Sequence, residues 1–171
     1  MQFYRPTPLD PDRHRRNEFT SGDLSLDDWL RRYAGQNRRG STAAVWVIAD
    51  ASHRVVCYAT LSMTSVDRSA SPTPLAKGAP LQVPALLVGR LATDTGVTGL
   101  GLGTHMVKHI LATAAELNVK AACRAVLVTA LNPAAFSWWQ RFGFDPFDGE
   151  DSTNLNLYLL TKDICATLTR L

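Results

Sequence analysis

The stretch Val97-Thr98-Gly99-Leu100-Gly101-Leu102-Gly103-Thr104 constrains this chain more than any other. It follows a β-forming run and enters an amphipathic pattern, so it reads as a turn from a strand into a helix. Glycines at alternating positions let the backbone approach a ligand closely and adopt conformations closed to other residues. The first amides of the following helix have no internal acceptor and point outward at the positive end of the helix dipole. Such a turn is an anion site suited to a pyrophosphate, and it needs no lysine.

Spacing excludes the two commonest phosphate loops. A Walker A loop carries Lys and then Ser or Thr after its last glycine, whereas Gly103 is followed by Thr104 and His105. The dinucleotide fingerprint needs two glycines, a gap of two and a third, a spacing that Gly99, Gly101 and Gly103 do not have.

The flanking patterns supply a fold class. From Ser25 the text SLDDWLRRYAGQNRRG places Leu26, Trp29, Leu30 and Tyr33 on one helical stripe, with Ser25 as N-cap and Gly40 as stop. Arg31, Arg32, Arg38 and Arg39 fall on the other face, which is either a solvated surface or a ridge for phosphates. AAVWVIAD (43–50) and VVCYATLSMTSV (55–66) read as an antiparallel hairpin. Residues 67–84, rich in Ser, Pro and Ala without period, read as a long loop of the kind that forms a functional flap or mobile segment. ALLVGRLAT (85–93) is a buried strand, a helix runs from about Gly101 to Leu117, and AACRAVLVTAL (121–131) is the next strand. Asn132-Pro133 starts a short helix to about Arg141, ended by Gly143, and a strand over 154–160 precedes a last short helix to Leu171. Strand, helix, strand, helix in the middle with hairpins on both sides predicts an α+β domain: a mixed, mostly antiparallel twisted sheet with a central parallel strand pair, flanked by helices.

Composition narrows the function classes. A chain of 171 residues, 46% hydrophobic and 19% charged, has material for one domain over 1–171 and is neither disordered nor a repeat array. No apolar run approaches the roughly 18 residues of a membrane span, and MQFYRPTPLDPDRHRR holds no secretory signal, so no membrane association and a cytoplasmic address are expected. Cys57, Cys123 and Cys165 are odd in number and too far apart for a metal knuckle, and read as small buried hydrophobes. His105 and His109 are spaced i, i+4, but Met106 stands where the HExxH zinc pattern has Glu, so no metal is expected. Basic residues exceed acidic ones over 1–140, and a pI near 8.9 permits contact with a polyanion. The acids gather in the tail, at Asp145, Asp148, Glu150 and Asp151.

One feature remains open on the residues alone. Arg90, a charge in an apolar strand, must be paired or face a cleft: it contacts a phosphate of substrate or cofactor, or forms a structural ion pair such as one with Asp94. Asn132 stands where it can cap the helix ahead of Pro133.

With these motifs in place, the chain resembles the GNAT N-acetyltransferases, whose phosphate loop has a basic or amide residue, two residues, Gly, any residue, then Gly or Ala. Thr98-Gly99-Leu100-Gly101-Leu102-Gly103 follows that pattern with Thr98 in the first place. The order FTSGDLSLDDWLRRYAGQN, a hairpin, LLVGRLATD, the glycine loop, LVTALNPAAFSWWQRFGF and NLNLYLL extends the likeness over nearly the whole chain. It is similar to the TacT-type toxins of bacterial toxin–antitoxin pairs, which acetylate the α-amine of aminoacyl-tRNA and stop translation. The resemblance implies acetyl-CoA as co-substrate, with its pyrophosphate on Thr98–Thr104 and its pantetheine paired to the backbone of Leu91, Ala92 and Thr93. Asn132 takes the place where the family often holds pantetheine, and Arg90 with Arg31, Arg32, Arg38 and Arg39 would contact the tRNA. Relatives carry a Tyr credited with protonating the leaving thiolate, and Trp139 occupies that position; an indole N–H donates a hydrogen bond but is no general acid near neutral pH. Partners implied in the same way are aminoacyl-tRNA, a ribbon-helix-helix antitoxin and a second copy in a homodimer. Acetylation of a small amine or a protein, and a non-catalytic CoA-binding module, are the alternatives.

Overall fold

The computed structural model describes residues 1–149 and 151–171, so Glu150 of the acidic tail lies outside the described residues. Strands β1 (Thr7–Pro8), β2 (Ala44–Ala49), β3 (Val55–Asp67), β4 (Gln82–Thr93), β5 (Ala125–Thr129), β6 (Asp145–Pro146) and β7 (Asn156–Leu160) pair in the order β1-β2-β3-β4-β5-β7-β6. Among the described ladders β4–β5 alone is parallel, from Ala85↔Ala125 to Val88↔Val128, and the others are antiparallel. Helices are α1 (Leu24–Asp28), α2 (Ala34–Arg39), α3 (Thr73–Ala76), α4 (Leu102–Lys120), α5 (Pro133–Gln140) and α6 (Ile164–Arg170). This is the α+β class that the sequence predicts. The pairings β1 and β6 are absent from that reading because two residues ending in Pro carry no period.

Contacts divide the chain into two compact units, Met1–Ser62 with Gly89–His109 and Met63–Val88 with Ile110–Leu171. The first gathers Leu9, Phe19, Leu30, Ala34, Val45, Val47, Val55, Tyr58 and Ala92 into one apolar cluster. Its helix is capped two residues before the expected Ser25. Asp23, with extended backbone, accepts from the Ser25 and Leu26 amides, while Ser25 spends its hydroxyl on the same carboxylate. Between α1 and α2 the chain makes a π-helical turn, Trp29–Tyr33, closed by the Ala34 amide donating to Trp29 O. The extra residue shifts the apolar stripe, so Ala34 is fully buried and Tyr33, expected inside, is half exposed.

The second unit centres on Leu75, Ala79, Val83, Ala85, Ala125, Leu127, Tyr158 and Leu160. Here the structure corrects the reading of 67–84 as a flap. Asp67 caps a 3-10 turn at Arg68–Ala70, α3 follows, and Leu75 is completely buried. Arg124 donates from Nε to Leu75 O (2.9 Å) and from Nη2 to Lys77 O (2.6 Å), and Arg68 Nη1 donates to Ala79 O (2.9 Å). Two guanidinium groups therefore satisfy carbonyls that a segment without regular structure would otherwise leave open. The last helices also shift: α4 runs three residues past Leu117 to Lys120, because its final turn carries no apolar signal and Val119 is exposed.

Leu75→Ala should lower the unfolding free energy by about 2–5 kcal/mol, read from urea denaturation, and limited proteolysis should cut 67–84 faster in the variant than in the parent chain.

Candidate active site

The first unit contains the glycine turn. Gly99 and Gly101 have φ of +85° and +79°, a region that favours glycine, and no heavy atom lies within 4 Å of where a side chain would start at either. The space above the turn is therefore open, and the backbone conformation is what requires glycine. Val97 and Leu102 are buried on either side while Leu100 points out, so the turn is anchored at both ends. The His105 amide makes the first helical bond, to Gly101 O at 2.9 Å. The amides of Gly101 to Thr104 precede that bond and make no described hydrogen bond. This cradle of positive-φ glycines and first-turn amides fits a pyrophosphate.

Asp94 fixes the approach to the turn. Its buried carboxylate accepts from the amides of Thr20 (3.0 Å) and Gly96 (2.9 Å) and pairs with Arg54 at 3.5 Å. Its backbone N–H donates to Val56 O and its carbonyl accepts from Thr98 Oγ1. The ion pair considered between Arg90 and Asp94 is thus not formed, because Arg54 holds that carboxylate. Arg90 is instead half-buried over Trp29, its Cζ 4.4 Å from the ring centroid. Trp29 is stacked on Tyr58, whose hydroxyl donates to Leu26 O at 2.8 Å; burial pushes that phenol's pKa up.

Along β4, Ala92 joins the first unit's apolar cluster, while Thr93 turns its hydroxyl to Cys57 Sγ at 3.5 Å. Burial pushes the Cys57 thiol up to about 12, so it is no thiolate at neutral pH. The described β4–β5 ladder ends at Val88↔Val128, and β4 runs on through Leu91, Ala92 and Thr93.

The arginine face of the first helix is not uniform. Arg31 is folded inward, donating to Phe19 O and pairing with Asp28 at 3.7 Å. Arg32 lies 3.9 Å from the same carboxylate but is largely exposed, and Arg38 and Arg39 are exposed in the last turn of α2.

In the second unit Asn132 accepts the Ala135 amide at 2.8 Å as the N-cap of α5, the capping alternative weighed for it. Its side-chain nitrogen makes no described bond. Trp139 is only 4% exposed and packs edge-on against Phe144 (5.0 Å) and Trp138 (5.2 Å). Where the β4–β5 ladder ends, a cleft of about 270 Å³ is lined by Val66, Leu87, Leu127, Thr129, Phe147 and Asn156, among others. Asn156 is held there by Thr129 (2.7 Å) and Asp148 (2.9 Å). No group of three metal-ligating side chains occurs among the described residues, and His109 meets the Trp46 ring at 4.1 Å. Missed by sequence reasoning were Trp29 and Tyr58 beside Arg90 and the bracing role of Asp94; the signal available was an aromatic on the buried stripe of SLDDWL, which reads equally as core.

Residues 10–144 match the acetyltransferase (GNAT) family profile. A tRNA-acetylating toxin of Mycobacterium tuberculosis is 33% identical over 153 residues, 88% of each chain. The fold is shared with the toxin AtaT in complex with acetyl-methionyl-tRNAfMet, at a TM-score of 0.86 and 23% identity over 96% of this chain and 98% of that one. It is shared also with an AtaT mutant bound to the C-terminus of the antitoxin AtaR and acetyl-CoA, at 0.82 and 23% over 99% of each chain.

A thiol titration at pH 8 should find one fast group per chain, the exposed Cys165, with buried Cys57 and Cys123 reacting only on unfolding; a second fast thiol would contradict the placement of Cys57 under Thr93.

Proposed function

The chain belongs to the acetyltransferase (GNAT) family and is an acetyl-CoA-dependent acyltransferase; from that premise we propose that its acceptor is the free α-amine of aminoacyl-tRNA and that it stops translation as the toxin of a toxin–antitoxin pair. The observation that carries this reading is the 33% identity to a tRNA-acetylating toxin over 88% of both chains.

The residues have definable parts in such a transfer. The turn Thr98–Thr104, with its positive-φ Gly99 and Gly101, binds the pyrophosphate through the amides of Gly101 to Thr104 that lead into α4. Past the end of the β4–β5 ladder, Leu91, Ala92 and Thr93 offer backbone to pantetheine as an added strand and an N–H to the thioester carbonyl. Asn132 has an amide nitrogen left to donate once its oxygen caps α5. Acetyl-CoA supplies a thioester whose thiol, with a pKa near 8.5, leaves readily as thiolate. The α-amine of an aminoacyl ester is partly neutral at pH 7, since an α-amine titrates near about 7.7–8.0, so little general-base help is needed. Buried among Trp138, Phe142 and Phe144, Trp139 holds α5 in place, and the thiolate takes its proton from water. Arg90, Arg32, Arg38 and Arg39 bind phosphates of the acceptor stem, with Arg31 bracing their helix from within.

The same resemblance supports a ribbon-helix-helix antitoxin whose C-terminal segment covers the toxin, a homodimer, and a place of action in the cytoplasm with the tRNA pool. No helix among the described residues is long and apolar enough to cross a membrane.

Incubation with radiolabelled acetyl-CoA and total charged tRNA should label charged tRNA alone, with deacylated tRNA and a polyamine as blanks. Label in the polyamine only would move the chain to small-amine acetylation, and CoA binding without any transfer would leave a binding module. Trp139→Tyr should change the rate on charged tRNA less than tenfold, because the phenol enters a closed aromatic cluster. Affinity for charged tRNA should fall steeply between 50 and 200 mM salt, as a filter-binding titration would show.

A further inference from the structure

Arg90 has an aromatic partner on one face and, among the described residues, none at its donors. Its guanidinium lies over Trp29, and Trp29 is stacked on Tyr58 with ring planes 7° apart. Tyr58 is itself fixed, donating to Leu26 O and meeting Phe19 edge-on at 5.5 Å. The carboxylates of the same unit are engaged elsewhere. Asp94 is held by Arg54 and two amides, Asp27 by Ser21, Asp23 by the cap of α1, and Asp28 by Arg31 and Arg32. Arg90 makes no described hydrogen bond or ion pair. A half-buried guanidinium is thus held over an aromatic ring, while its five N–H donors have no described partner.

We infer that Trp29 is a positioning residue for acetyl transfer: its ring orients the Arg90 guanidinium, donors free, to receive a phosphate of the acceptor tRNA. This rests on the function proposed above. A flexible arginine gives up its rotamer freedom when it binds a phosphate, whereas one already stacked has less to lose. The planar fork matches two phosphate oxygens, and a lysine in its place would neither lie flat nor grip in two places. Trp29 also opens the π-helical turn, its carbonyl accepting the Ala34 amide, so the residue whose ring carries Arg90 is fixed through its backbone as well.

The test is steady-state acetylation of charged tRNA by the full chain and by Trp29→Leu, Trp29→Phe, Arg90→Ala, Arg90→Lys and the double variant Trp29→Leu/Arg90→Ala. Arg90→Ala and Trp29→Leu should each raise KM for charged tRNA about tenfold and leave KM for acetyl-CoA unchanged. Trp29→Phe should keep most of the wild-type value, and the double variant should be no worse than Arg90→Ala, as expected when one residue acts through the other. The slope of log KM against log salt should fall by about one in Arg90→Ala. Additive effects in the double variant, or a Trp29→Leu defect confined to kcat or to KM for acetyl-CoA, overturn the assignment. Because Trp29 also packs on the core, Arg90→Lys carries the same test without touching it: a raised KM is expected although the charge is kept, and a wild-type KM overturns the role. A wild-type chain that leaves charged tRNA unlabelled removes the function and this role together, whereas labelling with an additive cycle removes this role alone.

Discussion

The buried carboxylate of Asp94 is the constraint on which the first unit is organised. It stands at the end of β4, one residue before the turn that leads to the glycines, and gathers the Thr20 amide, the Gly96 amide and the Arg54 guanidinium. A carboxylate this deep is tolerated only when its oxygens are matched by donors. The matching fixes three chain segments to one point: the run before α1, the β2–β3 hairpin end and the turn Thr95–Val97 that leads to the glycines. Removing the carboxylate would strand two amides and leave the Arg54 guanidinium with Asp50 alone, and the cost of unpaired buried groups exceeds the net worth of any single bond among them. The approach to the glycine turn is therefore braced by a buried acid, while no heavy atom lies within 4 Å of where a side chain would start at Gly99 or Gly101.

How much of this was legible follows from what leaves a periodic or compositional trace. The β2–β3 hairpin, β4, α4 and α5 all show in the text, because each has a run long enough to carry its period and a Gly, Asn-Pro or polar cluster to end it. The cap of the first helix was misplaced by two residues: Asp23 and Ser25 are both good caps, and only the extended backbone at Asp23 decides between them. The segment 67–84 was read as a flap because its order comes from Leu75 and from arginines that reach carbonyls distant in sequence, which no local pattern reveals. Arg90 stood out as a misplaced charge, yet its actual companion was invisible, since an aromatic on an amphipathic stripe looks the same whether it meets leucine or a guanidinium.

Little side-chain chemistry is demanded of a catalyst for this transfer. With an amine partly neutral at physiological pH and a thiol that leaves well, the rate depends on bringing the two together and on placing N–H groups at the carbonyl. A buried Trp139 is compatible with such a reaction, because under the proposed function the backbone of β4 and the glycine turn, rather than the side chains of Thr98 and Leu100, would make the contacts to the co-substrate.

The π-helical turn has a consequence for how the position of one guanidinium is encoded. In a regular helix each residue advances about 100°, so a single extra residue between α1 and α2 rotates everything before it by that amount relative to everything after. Deleting Tyr33 would leave the charge unchanged and the helical propensity almost so, yet would turn α1 and the indole relative to α2. The orientation of Arg90 is written in the number of residues in a helix as much as in their kinds, and insertions or deletions there would be read by the molecule as a change of aim.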